Sequence, residues 1–310
     1  MRLLFAAAAL LLASVDSSSA YASGISGWQI RYFSPDNAWS RKQLMHRLAF
    51  CVAMAVLLAD GWTHATNAQA ANLRGFGIVM MHGKGGGPEG LIAPLVSALK
   101  DNGAMVSTPI MPWHGKHGRP DGYMETFDQA MQKITGSVSE LKSRGATKIV
   151  VAGHSLGANA ALAYAVRNGR GLAGIMMLAP GHTPELALSR VQPGVAKAKE
   201  LAAAGRGDTV TTLPDFNQGQ QFQVRAKPAA YLSFFDPHGP AVMSRNAAAI
   251  PPLPLLWVIG RSDPLFARGE GYAYARAPKH AKSKYVIINA NHRDTPEAAR
   301  QEVIAWLKSL

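Results

Sequence analysis

The chain has 310 residues, of which 48% are apolar and 16% charged, and a formal net charge of +13. That is globular composition, long enough for one large domain or two small ones. Its single cysteine, Cys51, lies in a segment that reads as a leader. Disulfides, thiolate chemistry and cysteine-based metal sites are therefore excluded from the rest of the chain.

The chain opens on "MRLLFAAAALLLA", a basic start and an apolar run, with Ala20-Tyr21-Ala22 as a possible cleavage site. A second leader follows: Arg41, Lys42 and Arg47 frame the start of "LAFCVAMAVLLA", and Ala68-Gln69-Ala70 offers a further cleavage site. Each run is too short to span a bilayer comfortably. Met45 is the expected functional start, and cleavage after Ala70 is expected to leave an exported chain, periplasmic or secreted, of residues 71–310. A lipoprotein reading of Cys51 fails because Phe50, just before it, is not small.

Beyond residue 70 the chain carries 27 basic and 16 acidic residues, spread without a run of five. That pattern fits solvated surface charge and at most a weak attraction to an anionic envelope surface. It lacks the basic stripe with aromatic or helical context that nucleic-acid binding needs.

From residue 75 apolar runs alternate with amphipathic segments, the order expected of a mostly parallel open sheet with helices on both faces. "GFGIVMMHG" (75–83) reads as a buried strand, 91–103 as a helix and "AMVSTPIMP" (104–112) as a strand. A helix over Met124–Leu141 is predicted from Phe127, Met131, Ile134, Val138 and Leu141, spaced four, three, four and three. "KIVVAGH" (148–154) is a strand, followed by a helix from Leu156 to about Arg167, and "GIMMLAP" (174–180) is another strand. The rhythm then breaks over about 181–250, where a helix over 194–204 leads into the polar, Gly/Gln-containing segment "GRGDTVTTLPDFNQGQQFQVRAK". This block is expected to be a lid or cap inserted between two strands. Strands over 254–263 and 283–292 resume the pattern, and a helix with Thr295 as N-cap and Pro296 at its first position closes the chain.

In open parallel sheets, sites form at the carboxyl ends of strands. Four such ends carry reactive or glycine-rich residues: His82-Gly83-Lys84-Gly85, Ser155, Asp263 and His292. Gly153-His154-Ser155-Leu156-Gly157 is a G-x-S-x-G string between strand and helix, where Gly153 and Gly157 give room for a sharp bend. A serine hydroxyl needs a base to take its proton, and Asp263 and His292 follow in the order acid then base. The expected catalytic series is Ser155, His292 and Asp263, with Asp263 holding the imidazole tautomer. Two backbone amides should hold an oxyanion: Leu156, after the nucleophile, and Lys84, with Gly85 as second choice.

These motifs resemble those of the α/β-hydrolase fold superfamily, of its serine esterase and lipase kind. "HGKGGG" is similar to its oxyanion loop, "GHSLG" to its nucleophile elbow, "GRSDPLF" to its acid loop and "NANHRDTP" to its histidine loop. The resemblance covers about 75–310 and implies a sheet of eight strands with one antiparallel, of which about six are found. It also places the insertion where that superfamily carries its cap. Asn291 stands before His292, where glycine is common.

The function expected is acyl transfer to water on an ester-like substrate, small or lipid-like, with no cofactor and no metal. An acyltransferase, thioesterase or amidase would use the same residues. The rival of another kind is a catalytically silent, envelope-associated binding protein on the same fold. Asp215 and Asp236 are reserve acids, Asp263 could instead cap a helix, and His82 and His154 are expected to be structural. His114 and His117 have spacing a metal could use but no third ligand. "GKGGGP" fails as a phosphate loop, because Lys84 precedes most of the glycines, and as a dinucleotide fingerprint, because Pro88 takes the third glycine position. The Lys84 side chain is a candidate for holding an anionic substrate. An Asp-nucleophile reaction is excluded by the serine at the elbow.

Overall fold

The computed structural model describes residues 73–310. The two leaders, Met45, Cys51 and the cleavage site at Ala70 lie outside the described residues.

Among the described residues the first element is β1 (Phe76–Met81), all six residues buried. Helix α1 (Ala93–Asp101) precedes β2 (Met105–Ser107), and the short strands β3 (Gly115–Lys116) and β4 (Arg119–Pro120) form a hairpin. Then come α2 (Phe127–Ser143), β5 (Lys148–Ser155), α3 (Leu156–Asn168) and β6 (Gly174–Pro180). Segment 181–250 holds α4 (Leu188–Ala203), an antiparallel hairpin of β7 (Thr211–Asn217) and β8 (Gln220–Ala226), α5 (Pro228–Phe235) and α6 (Met243–Ala249). Strands β9 (Leu255–Gly260) and β10 (Lys284–Ile288) follow, and α7 (Thr295–Ala298) and α8 (Arg300–Ser309) end the chain.

Six strands form one sheet in the order β10-β9-β6-β5-β1-β2. Every neighbouring pair is parallel. Helices cover both faces, as the near-continuous apolar strands require. On one face Ile78, Met80, Val150 and Val258 pack with Leu95, Leu99, Val303 and Trp306 of α1 and α8. On the other, Val79, Met81 and Val151 pack with Phe127, Ile134 and Leu141 of α2. Farther along that face Met177 and Trp257 meet Leu162 of α3 and Met243 of α6. Aromatic residues of the insertion, Tyr231, Phe234 and Phe235, join the α2 cluster, so the insertion shares the core.

Several boundaries differ from the sequence reading for physical reasons. The second strand stops at Ser107 because Pro109 and Pro112 cannot donate to a ladder. Helix α2 starts at Phe127 because Thr126 and Gln129 form a capping box, each side chain bonding the other's backbone N–H at 3.2 and 2.7 Å. Helix α4 begins at Leu188 and runs through Pro193. Thr295 is the first residue of α7 and not its cap; its hydroxyl donates to the Asn291 carbonyl at 2.7 Å. The polar segment, to which the sequence assigned no element, is the β7–β8 hairpin, turned by Gln218 and Gly219 at φ 47° and 84°. Positive φ at both central residues is the type I′ geometry that suits strand twist.

Candidate active site

The sheet brings the carboxyl ends of β1, β5, β6, β9 and β10 to one rim, and the loops after them carry the candidate side chains. Ser155 ends β5 and sits at φ 56°, ψ −118°, a conformation a non-glycine residue rarely adopts. Its neighbours explain how the bend is tolerated. A Cβ on Gly153 would come within 2.3 Å of the Gly157 backbone, and one on Gly157 within 2.6 Å of the Met81 carbonyl. Leu156 opens α3, so its N–H belongs to the first turn, whose amides have no partner inside the helix.

His292 stands across from this corner. Its Nε2 lies 3.0 Å from Ser155 Oγ and its Nδ1 2.7 Å from Asp263 Oδ2. With Nδ1–H donating to the carboxylate, Nε2 is free to accept the serine proton. The Asp263 side chain is 1% exposed and that of His292 16%. Asp263 Oδ1 accepts the Leu265 N–H at 2.7 Å, so the carboxylate also caps the turn that follows. Asn291 organises the histidine loop: its Oδ1 accepts the Arg293 and Asp294 N–H groups at 2.8 and 3.0 Å. That is an Asx-type turn, which a glycine could not make.

Two buried histidines support the corner. His82 donates from Nδ1 to the Gly83 carbonyl at 2.9 Å, and its Nε2 accepts the Met111 N–H at 3.2 Å. Trp113 Nε1–H donates to the His82 carbonyl at 2.8 Å. Burial lowers the His82 pKa to about 4, so the ring is neutral and fixes the loop start. His154 donates from Nε2 to the His292 carbonyl at 2.8 Å, tying the His292 loop to the strand that carries Ser155. Burial, then the nearby His292, lowers its pKa to about 3, and its Nδ1 is buried without a hydrogen-bond partner. Gly83 lies against the His154 ring and Ser155 Cβ, where an added Cβ would stand 3.0 and 3.1 Å away.

The glycine-rich loop is laced to the β3–β4 hairpin. Gly85 N–H donates to the Trp113 carbonyl at 2.9 Å, which removes Gly85 as an oxyanion donor. The Gly118 N–H donates to the Gly85 carbonyl at 3.0 Å. His117 and Gly118 form the hairpin turn at φ 53° and 78°, and His114 Nδ1 pairs with Asp121 at 3.1 Å. No group of three or more His, Cys, Asp or Glu able to hold a metal occurs among the described residues.

A cleft of about 750 Å³ opens over Ser155 and His292. Leu186, Phe216 and Leu265 form apolar wall, while Arg190, Arg268 and Arg293 stand around it. The insertion supplies Leu186, Arg190 and Phe216 to this lining. The Lys84 side chain does not reach out to a ligand: its Nζ is held by Asp215 Oδ1 at 2.8 Å and by the Phe216 carbonyl at 3.1 Å. The expectation of an anion-binding Lys84 is corrected accordingly. Asp236, the other reserve acid, pairs with Lys199 at 2.9 Å.

Sequence reasoning missed Gly181. A Cβ there would come within 2.8 Å of Ser155 Oγ and 3.3 Å of His292 Cε1, so the residue keeps open the space beside Ser155 and His292. Its only signal was its place, directly after the apolar strand that ends at Pro180.

The model of the family described as "Alpha/beta hydrolase family" matches residues 78–306. Among solved structures, one from work on LipS and LipT, two metagenome-derived lipolytic enzymes, superposes with a TM-score of 0.54 at 17% identity, covering 76% of this chain and 95% of that one. Est1E from Butyrivibrio proteoclasticus, with ferulic acid bound, has a TM-score of 0.52 at 17% identity over 76% and 88% of the two chains. The monoacylglycerol lipase of Paleococcus ferrophilus has a TM-score of 0.51 at 22% identity over 75% and 94%. At these identities the likeness is one of fold. No curated protein matches the chain.

Proposed function

The chain belongs to the alpha/beta hydrolase family, and on that footing we propose that it is a serine hydrolase that cleaves ester-like acyl substrates through an acyl-enzyme. The observation that carries this reading is the continuous series from Asp263 through His292 to Ser155, at 2.7 and 3.0 Å, on the floor of an open cleft. Ser155 Oγ attacks the substrate carbonyl carbon while its proton passes to His292 Nε2. Asp263 holds the Nδ1–H tautomer and stabilises the imidazolium. The Lys84 and Leu156 amides receive the oxyanion, each such donor being worth roughly 3–4 kcal/mol in the transition state. Collapse expels the alcohol, which takes the proton from His292; water, deprotonated by His292, then attacks the acyl-enzyme and frees Ser155.

A carboxylic ester is the favoured substrate class. The apolar wall of Leu186, Phe216 and Leu265 suits an acyl chain, and the lipolytic and esterase names of the fold neighbours point the same way by analogy. Thioester and amide cleavage, or transfer to an acceptor other than water, would use the same residues. The test is pre-steady-state hydrolysis of p-nitrophenyl esters, with intact-mass detection of an acyl adduct. A burst and an adduct lost in Ser155→Ala support the reading. Turnover unchanged in Ser155→Ala contradicts it.

Export belongs to the same proposal. Residues 1–70 carry two basic-then-apolar leaders with small-residue cleavage sites, which supports a mature chain beginning at Ala71 in the periplasm or the medium.

A further inference from the structure

The most deeply buried ion pair among the described residues lies beside the proposed reaction centre. The side chains of Lys84 and Asp215 are 5% and 0% exposed, and their charged atoms are 2.8 Å apart. Lys84 sits in the oxyanion loop; Asp215 sits on β7 of the insertion, 131 residues later. The carboxylate is fully satisfied. Oδ1 also accepts the Phe216 N–H at 2.6 Å, and Oδ2 accepts the Tyr123 hydroxyl at 2.9 Å. Burial, then Asp215, holds the Tyr123 pKa well above its ordinary value, so the phenol stays a donor. The ammonium also stands 4.8 Å from the centre of the Phe235 ring.

A buried cation and carboxylate are costly to desolvate, and apolar replacements of similar volume often serve stability as well. What such a pair does supply is a fixed, directional link between two elements. Here the two elements are the loop that presents an oxyanion amide and the hairpin that walls the cleft. Further bonds run alongside. Asn217 Nδ2–H donates to the Gly118 carbonyl at 2.9 Å, and the Tyr123 N–H donates to the Arg225 carbonyl at 2.9 Å. Gly118 in turn donates to Gly85, so the hairpin and the oxyanion loop are joined by two routes.

We propose that Asp215, seated by Tyr123, is a positioning residue: through the Lys84 side chain it fixes the Lys84 amide at the oxyanion position and makes seating of the insertion a condition of catalysis. The proposal rests on the serine-hydrolase reading. It makes the insertion part of the catalytic apparatus and not a cover over it.

The test compares wild type, Asp215→Asn, Lys84→Met and the double variant in thermal midpoint, and in kcat and KM on one p-nitrophenyl ester. Either single variant leaves a buried charge without its counter-charge and should lose stability; the double variant removes both charges and should regain part of it. Because a misplacement of about 1 Å costs about a hundredfold, kcat is expected to fall about ten- to a hundredfold in Asp215→Asn and to stay low in the double variant, with KM within about threefold of wild type. A double variant that regains both stability and wild-type kcat overturns the proposal, as does a loss confined to KM. Should Asp215→Asn fail to fold, Tyr123→Phe removes one of the bonds to Asp215 and must lower kcat in the same sense. A wild type that neither turns over nor forms an acyl adduct would sink the serine-hydrolase reading instead. In that event hydrogen exchange decides the link: in Asp215→Asn, or in Tyr123→Phe should the former not fold, amides of 83–87 should exchange faster together with those of 211–226, and unchanged protection at 83–87 overturns it.

Discussion

At the residue scale the site depends on atoms held in unfavourable places by well-made surroundings. Ser155 keeps its positive φ because Gly153 and Gly157 let two chain segments pass at contact distance. His292 keeps one tautomer because Asp263 takes its Nδ1–H at 2.7 Å. Asp263→Asn should therefore leave the fold intact and lower kcat by roughly 10⁴-fold, since the amide favours the wrong tautomer; an effect under about tenfold would remove Asp263 from the series. Gly181→Ala places a methyl 2.8 Å from Ser155 Oγ. It should abolish ester turnover while changing the thermal midpoint little, and near-normal kcat would show that the carbonyl binds elsewhere. Ser155, Asp263 and His292 could be singled out because Ser155 ends a buried strand, Asp263 and His292 follow the carboxyl ends of two other strands, and the string around Ser155 has a mechanical meaning. Gly181 was not, because nothing in a glycine after a strand says which atom it faces. The Lys84–Asp215 pair was not legible either: partners 131 residues apart on different elements leave no pattern in one sequence.

At the scale of elements, the parallel strands declared themselves through length and apolarity, and α2 through its spacing. The β7–β8 hairpin did not. Its inward positions include Leu213 and Asp215, and the buried carboxylate breaks the alternation that marks a half-buried strand. Its turn, Gln218-Gly219, takes positive φ at both residues, and Gln-Gly is not among the dipeptides that signal such a turn in sequence. Gly219, at φ 84°, has no heavy atom within 4 Å of an added Cβ, so Gly219→Ala tests backbone strain alone. It should cost about 1 kcal/mol, read as a lowered denaturation midpoint; an unchanged midpoint would mean that the hairpin adds little to global stability. The end of β2 and the start of α2 were misjudged by a few residues for local reasons, prolines in one case and a capping box in the other.

At the scale of the whole molecule the pH dependence of stability follows from burial. His82 and His154 are neutral in the fold, with pKa values lowered by burial to about 4 and about 3 from 6.5. The unfolded chain binds protons at these positions below about pH 6.5, and the folded chain does not until its own pKa is reached. Stability is therefore complete above pH 6.5 and declines as pH falls toward 4, by on the order of 1 kcal/mol per histidine per pH unit. Urea midpoints at neutral and mildly acidic pH check this, and a midpoint that rises on acidification contradicts it. The proposed export is checked by sequencing the N-terminus of protein recovered outside the cytoplasm: Ala71 first is the expected result, and an intact leader contradicts it.

The central claim is that Ser155 is an activated nucleophile. Its most direct test is labelling of the chain with a fluorophosphonate, in wild type beside Ser155→Ala and His292→Ala, with the adduct mapped by peptide mass. The account predicts one adduct, on Ser155, absent from Ser155→Ala and strongly slowed in His292→Ala. A folded wild type that stays unlabelled, or an adduct that forms equally fast without His292, would contradict it.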